Sequence, residues 1–270
     1  MPNVYATPDD SVLLLQLTDS HLFAEEDGTL HGMNTAASLE QVVRQALAEL
    51  PAIDLLLATG DLSQDGTAAS YQRFAQTTAC IKAPKRWLAG NHDEPAVMQQ
   101  LYGERELLDP VTDMGNWRVV MLDSTVPGSI PGVLSTDQLR LLEDALADEP
   151  SRHHLVCLHH HPVSIGCAWM EPIGLRNAGE FFEVTDRYPQ VRAILWGHVH
   201  QEWDTLRNGV RLLASPSTCI QFAPRAEAFA LDRIAPGYRW LRLHPDGNLE
   251  TGVVRLPGFE FSQHPGGSGH

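Results

Sequence analysis

Polar residues able to hold metal ions recur along this chain at short, repeated spacings. "TDSH" supplies Asp19 and His21, "TGD" supplies Gly60 and Asp61, and "AGNHDE" supplies Asn91, His92 and Asp93. "HHHP" supplies His159, His160 and His161, and "WGHVH" supplies His198 and His200. D-x-H and H-x-H place alternate residues of an extended segment on one side, where both can meet one ion. A lone Gly-Asp is more often a turn, and an Asn-His-Asp triplet more often a loop. Order and placement carry the argument: each of these motifs follows a strand-like apolar run, and strand ends along one edge of an α/β sheet are where sites assemble. The donors are carboxylate and amide oxygens and imidazole nitrogens, with no thiolate. That set suits iron, manganese, zinc or cobalt and argues against a structural cysteine-based zinc site. There are too many donors for one ion, and two ions bridged by one carboxylate account for them better.

The triple histidine is internal and stops at Pro162, so it is neither a terminal tag nor a low-complexity tract. Val156, Cys157 and Leu158 read as a buried strand, and Pro162 ends its ladder pairing. Side chains alternate along a strand, so His159 and His161 face one way and His160 the other. The strand alone leaves open which face meets the metals.

The elements that must position these residues alternate. Strand-like runs span 12–17, 55–59, 86–89, 118–122, 155–158 and 191–196. A helix is expected over 35–50 from Leu39, Val42, Val43, Ala46, Leu47 and Leu50. Ser135 and Gln138 form a capping-box pattern ahead of a helix whose inner stripe is Leu139, Leu142 and Leu146, and a further helix is expected over 177–188. Such alternation argues for an α/β fold with helices outside the sheets. Two hairpins follow, one around Asn208-Gly209 and one around 245–248, and suggest that the second sheet is mixed.

The chain of 270 residues has no internal repeat and no clear linker, so a single domain is expected over 1–262, with "HPGGSGH" belonging to a disordered tail over 263–270. The net charge of −15 argues against nucleic-acid polymers and anionic membranes as partners. A small anionic substrate is compatible with it, because bound metal dominates the local field. Cys80, Cys157, Cys167 and Cys219 form no C-x-x-C pair and read as reduced thiols. The N-terminal residues carry no signal-peptide pattern, and "VLLLQL" is far short of a membrane span, so a cytoplasmic location is expected. Trp87 and Trp196 are expected in the core and Trp169 near the site.

The series D-x-H, G-D, G-N-H-D, H-H-P and G-H-x-H resembles that of the calcineurin-like metallophosphoesterases, from Asp19 to His200. "HGMNTAASLE", "HHHPVSIGCAWM", "GLRNAGEFF" and "LLASPSTCIQF" look like the class III cyclic nucleotide phosphodiesterases, specifically the bacterial 3′,5′-cyclic AMP type. The resemblance implies a four-layer α/β/β/α sandwich of two mixed sheets. It implies two metal ions per chain, divalent or mixed-valence, iron or manganese favoured and zinc or cobalt compatible. Asp19, His21 and His200 would bind one ion, and Asn91, His198 and one histidine of the triple the other, with Asp61 between them. The family's H-x-P pattern points to His160, with His159 as the fallback. His92 would lie over the metals, contacting phosphate or protonating the leaving oxygen. His21, Asn91, His92, His200, Arg176, Asn177 and Thr218 would contact the substrate, a small cyclic nucleotide. The implied reaction is hydrolysis of 3′,5′-cyclic AMP to 5′-AMP, by in-line attack of a metal-bridging hydroxide, in a monomer or homodimer. A broader phosphodiesterase, acting on glycerophosphodiesters or 2′,3′-cyclic nucleotides, would use the same metal centre. A catalytically silent regulator would predict a damaged ligand set, and here the set is intact.

Overall fold

The computed structural model describes residues 10–259. The expected tail lies outside them, and the expected domain span extends past them at both ends. Two sheets form the centre. The first runs Leu249–Arg255, Gly237–Leu243, Val12–Leu17, Leu55–Thr59, Lys85–Leu88. The second runs Trp203–Arg207, Val210–Ala214, Val191–Trp196, His153–Leu158, Trp117–Met121, Val111–Met114. Within each sheet the strands that lead into the motifs pair in parallel, while antiparallel strands close both edges of the second sheet and one edge of the first, whose other edge, Lys85–Leu88, is parallel. Both sheets are therefore mixed.

Alternation along each strand divides the apolar residues between two faces. Leu13, Leu15 and Leu17 join Leu39, Val42, Phe74 and Met98 under the helices Thr35–Glu49, Ala68–Thr77 and Pro95–Tyr102. Val12 and Leu14 face the second sheet and meet Leu195 and Leu213 there. In the strand leading to the triple histidine, Leu155 and Cys157 face between the sheets. Val156 and Leu158 face the helices Thr136–Asp148 and Ala178–Thr185. This gives four layers, α/β/β/α. Strands covered on both sides read as unbroken apolar runs, which is why "VLLLQL" and "LVCL" carry no polar alternation.

The helix expected over 35–50 spans Thr35–Glu49, with the Asn34 side chain accepting from Ala37 N at 2.7 Å and Leu47 left exposed on its outer side. Ser135 caps the next helix through Gln138 N at 3.2 Å, but the capping box is only half formed. The Gln138 side chain turns away and accepts from Asp123 N at 3.0 Å. Asn208 and Gly209 both take positive φ, 52° and 84°, as a type I′ turn requires. The two hairpins separate: the one at 203–214 edges the second sheet, while the one at 237–255 pairs with Val12–Leu17 in the first. Trp240 and Tyr238 then reach the helix layer, and Leu241 and Leu243 fill the space between the sheets.

Candidate active site

Five strands end at one rim of the sandwich and release the five motifs there. Asp19 and His21 follow Val12–Leu17, Asp61 follows Leu55–Thr59, and Asn91 and His92 follow Lys85–Leu88. The second sheet contributes the histidines after His153–Leu158, and His198 and His200 after Val191–Trp196. Ligand atoms lie within 4.8 Å of one another in three groups: Asp19, His21 and His200; His21, Asp61 and His92; Asp61, His159 and His198. Asp61 belongs to two of them. Its Oδ2 stands 3.7 Å from His21 Nε2 and 3.2 Å from His159 Nε2.

Hydrogen bonds behind the rings set which nitrogen is free. His159 Nδ1 lies 2.9 Å from Thr59 O, and His200 Nδ1 lies 2.9 Å from Ile220 O. A carbonyl can only accept, so each Nδ1 carries the hydrogen and each Nε2 presents a lone pair. His21 Nδ1 meets Gln64 Oε1 at 2.7 Å in the same way. The Nε2 atoms of His21 and His200 then confront each other at 3.1 Å, lone pair to lone pair. The Nε2 lone pair of His159 likewise confronts the Asp61 carboxylate. A cation between the partners resolves both confrontations. Asn91 Oδ1 and His198 Nε2 are buried with no hydrogen-bond partner, as further donors to such cations would be. The residues fit a pair of metal ions.

Charge in the site follows the same logic. Burial raises the Asp61 carboxyl, but His159, His92 and His21 around it hold it well below the usual carboxylate range. Asp19, raised by burial, is held down by His200 and His159. Burial pushes the His21 imidazole down to about 3 and His198 well below its ordinary value, which keeps both neutral and available as ligands. For His159, burial opposes the imidazolium but Asp61 lifts it to about 9, so with no metal bound a proton on Nε2 takes the place between ring and carboxylate that a cation would otherwise fill.

The backbone is bent to deliver these groups. Asp19, His21, Asp61, His198 and His200 all have φ between 46° and 66°, a region that costs a non-glycine residue roughly 1–3 kcal/mol. Hydrogen bonds offset that cost. His198 N donates to Asp19 Oδ1 at 3.0 Å, Thr18 Oγ1 donates to Asp19 Oδ2 at 2.7 Å, and His92 N donates to Asp61 Oδ1 at 2.8 Å. Asp93, a metal-capable residue by type, lies in no ligand group. Its buried carboxylate accepts from Leu62 N, Ser63 N and Gly90 N at 3.2, 2.9 and 2.8 Å, tying two strand ends together. Burial, with Asp61 nearby, lifts it to about 7. Gln64, Thr18 and Asp93 are the supporting residues that motif spacing does not reveal. An Asp at the end of "GNHD" is at most a turn signal.

Three sequence expectations change. His160 is in none of the three candidate ligand groups. Its Nδ1 meets Ser124 Oγ at 2.8 Å and its Nε2 meets Ile130 O at 2.9 Å, which occupies both nitrogens. The reason is parity: Leu155 and Cys157 face between the sheets, His159 continues that face, and His160 falls on the helix side. Asn177 is not free for a substrate, because its amide accepts from Leu134 N and donates to Leu134 O, both at 2.9 Å. Trp169 lies one ring further out than expected, packed on Phe222, which stacks on His200 at 4.1 Å between centroids. Trp87 and Trp196 are buried in the core. Arg176 is exposed, and the Thr218 hydroxyl is buried with no hydrogen-bond partner. His92 is exposed at the mouth, its ring edge against His21 at 4.9 Å.

The chain belongs to the calcineurin-like phosphoesterase family, which matches residues 12–202, ending just past His200. Over 253 residues it is 57% identical to the 3′,5′-cyclic adenosine monophosphate phosphodiesterase CpdA of Pseudomonas aeruginosa, covering 94% of this chain and 93% of that one. It is 46% identical over 261 residues to the protein of the same name from Escherichia coli K12, covering 96% and 95%. Among solved structures, a dimetal phosphatase from Danio rerio matches with a TM-score of 0.61 at 17% identity, over 91% of this chain and 99% of that one. Purple acid phosphatase from yellow lupin matches with a TM-score of 0.64 at 16% identity, over 97% of this chain and 54% of that one. These two share the fold.

Proposed function

We propose that this chain is a dimetal phosphodiesterase that hydrolyses 3′,5′-cyclic AMP to 5′-AMP. The observation that carries the chemistry is the single Asp61 oxygen set between His21 Nε2 and His159 Nε2, one carboxylate serving two ligand groups. The substrate follows from near full-length similarity to relatives named for that activity.

Asp19, His21 and His200 would hold one ion, and Asn91, His159 and His198 the other, with Asp61 shared. Oxygen and nitrogen donors without thiolate favour iron or manganese, with zinc or cobalt compatible. When bound, such a pair activates water and neutralises charge developing on the phosphoryl group. Thr18 and the backbone N–H of His198 fix the Asp19 carboxylate, and Thr59, Ile220 and Gln64 fix three imidazoles, so the donors are oriented before substrate arrives. His92 is the exposed group of the rim, anchored by its own N–H to Asp61, and it supplies the proton to the departing 3′ oxygen. Thr218, with its unpartnered hydroxyl, and Arg176, exposed on the 174–177 segment, are proposed substrate contacts.

No helix among the described residues is long and apolar enough to cross a membrane, and all four cysteines are free. A reducing cytoplasmic setting and a monomeric or dimeric state complete the proposal. The test is a substrate panel: cyclic AMP, cyclic GMP, a 2′,3′-cyclic nucleotide and a glycerophosphodiester, each with manganese-loaded protein. Cyclic AMP should show the highest kcat/KM, with 5′-AMP as product. A higher value for the glycerophosphodiester would replace this reading with a broader phosphodiesterase.

A further inference from the structure

A groove of about 610 Å³ opens beside the candidate metal residues, within the ~300–1,000 Å³ typical of small-molecule sites. Asn91, His92 and Pro95 line one side, and Val126, Pro127 and Ile130 the other. Ile130 is 56% exposed and stands with Val126 and Pro127 as an apolar wall facing Pro95 and Ala96.

The Ile130 wall is built, not draped. Gln138 accepts from Asp123 N at 3.0 Å at its start. Val133 N donates to Ser124 O at 3.0 Å, and Ser129 N to Val126 O at 3.0 Å. His160 grips it at two points. Its Nε2 donates to the carbonyl of Ile130, so its Nδ1 must accept from the hydroxyl of Ser124. The same ring lies 4.8 Å from that of His198 and 5.1 Å from that of His159. His160 thus joins the groove wall to the ligand set without belonging to it.

Resting on the reading of the site as a cyclic AMP phosphodiesterase, we propose that this groove receives the nucleoside of the substrate. Its base packs on Ile130, and His160 is the residue that positions that wall. Hydrolysis forms a P–O bond from water and breaks the bond between phosphorus and O3′, and O3′ takes a proton. The ribose therefore lies beside the group that protonates it. His92 stands on the rim of this groove, so ribose and base extend into it. The aromatic cluster beside His200, with Phe229 49% exposed, is the competing base site, set apart from the groove that His92 lines. Phe222 is stacked on His200, Trp169 is packed on Phe222 and Phe229, and Phe229 meets His31 at 5.3 Å.

The test compares 5′-AMP with ribose 5-phosphate, which keeps the phosphosugar and lacks the base. Equilibrium binding is measured on the metal-loaded protein, wild type and variants, with metal counted per chain. Ile130→Asn should weaken 5′-AMP about tenfold, the scale of a lost apolar pocket contact. Ribose 5-phosphate should change less than twofold. His160→Ala should show the same selective loss with metals retained, and Ser124→Ala a smaller one, which serves if His160→Ala does not fold. Equal losses for both ligands, or none, in Ile130→Asn would overturn the proposal. So would a selective loss in Phe229→Ala with Ile130→Asn unchanged, which places the base on the aromatic cluster. A protein that shows the expected selectivity but does not turn over cyclic AMP supports the groove and counts against the proposed reaction alone.

Discussion

His159 and His160 are neighbours of identical chemistry with opposite assignments, and the difference lies in where their nitrogens point. His159 gives its Nδ1 hydrogen to Thr59 and turns Nε2 toward Asp61. His160 spends both nitrogens on Ser124 and Ile130. His159→Ala should therefore lower bound metal from two ions per chain to roughly one, because that ion loses a nitrogen it cannot replace. His160→Ala should keep both ions and cost ~1–3 kcal/mol in stability from the hydrogen-bond partners left unpaired. Metal analysis and thermal unfolding of the two variants check this, and retained metal in His159→Ala would reverse the assignment. The five motif blocks were legible from residue type and spacing, while the choice of Asp19, His21, Asp61, Asn91, His198 and His200 within them came from the family resemblance. The choice within the triple histidine was legible too, but only by counting parity back from Cys157 and Leu155 once the space between the sheets is known to hold the site. Motif spacing carries no such information, and the H-x-P pattern points to His160, whose side chain lies on the helix side with both nitrogens hydrogen-bonded.

At the scale of elements, three of the five strand ends make left-handed bends at candidate ligands, Asp19 and His21, Asp61, and His198 and His200, and glycines near the site leave room. Gly60 has φ +94°, and a Cβ there would clash with His159 Nδ1. Gly90 lies as close to Asp61, and Gly197 to Thr18. Gly60→Ala should strain the backbone and push His159 off Thr59 O at once. The expected outcome is a folded protein with circular dichroism like wild type, reduced metal content and activity at least ~10-fold lower, as when a ligand loses its orienting partner. Normal metal content in Gly60→Ala would contradict the packing account. The strands themselves were legible because each is an apolar run of strand length. The helices Ala68–Thr77 and Pro95–Tyr102 were less so, since they are short and their buried faces rest on two or three residues such as Tyr71, Phe74 and Met98. Which sheet each C-terminal hairpin joins is decided by long-range pairing, Val12–Leu17 with Gly237–Leu243, which local turn chemistry does not encode.

At the scale of the molecule, two sheets pack face to face, and neither holds the whole candidate ligand set. Asp19, His21, Asp61 and Asn91 come from the first sheet, His159, His198 and His200 from the second. Packing of Leu14, Leu57, Leu155 and Leu195 between the sheets is what brings the halves together, so site assembly and core formation are one event. The chain carries a net charge of −15 yet should attract a phosphodiester, because two bound cations dominate the field at the rim. The central claim is that two ions, shared by Asp61, are needed to open cyclic AMP. The measurement is a titration of chelator-stripped protein with manganese, following cyclic AMP consumption and product identity against ions bound per chain. The account predicts no turnover without metal, a rate that saturates only when two ions are bound, and 5′-AMP as the product. Full rate with one ion bound, or turnover by the stripped protein, would contradict it.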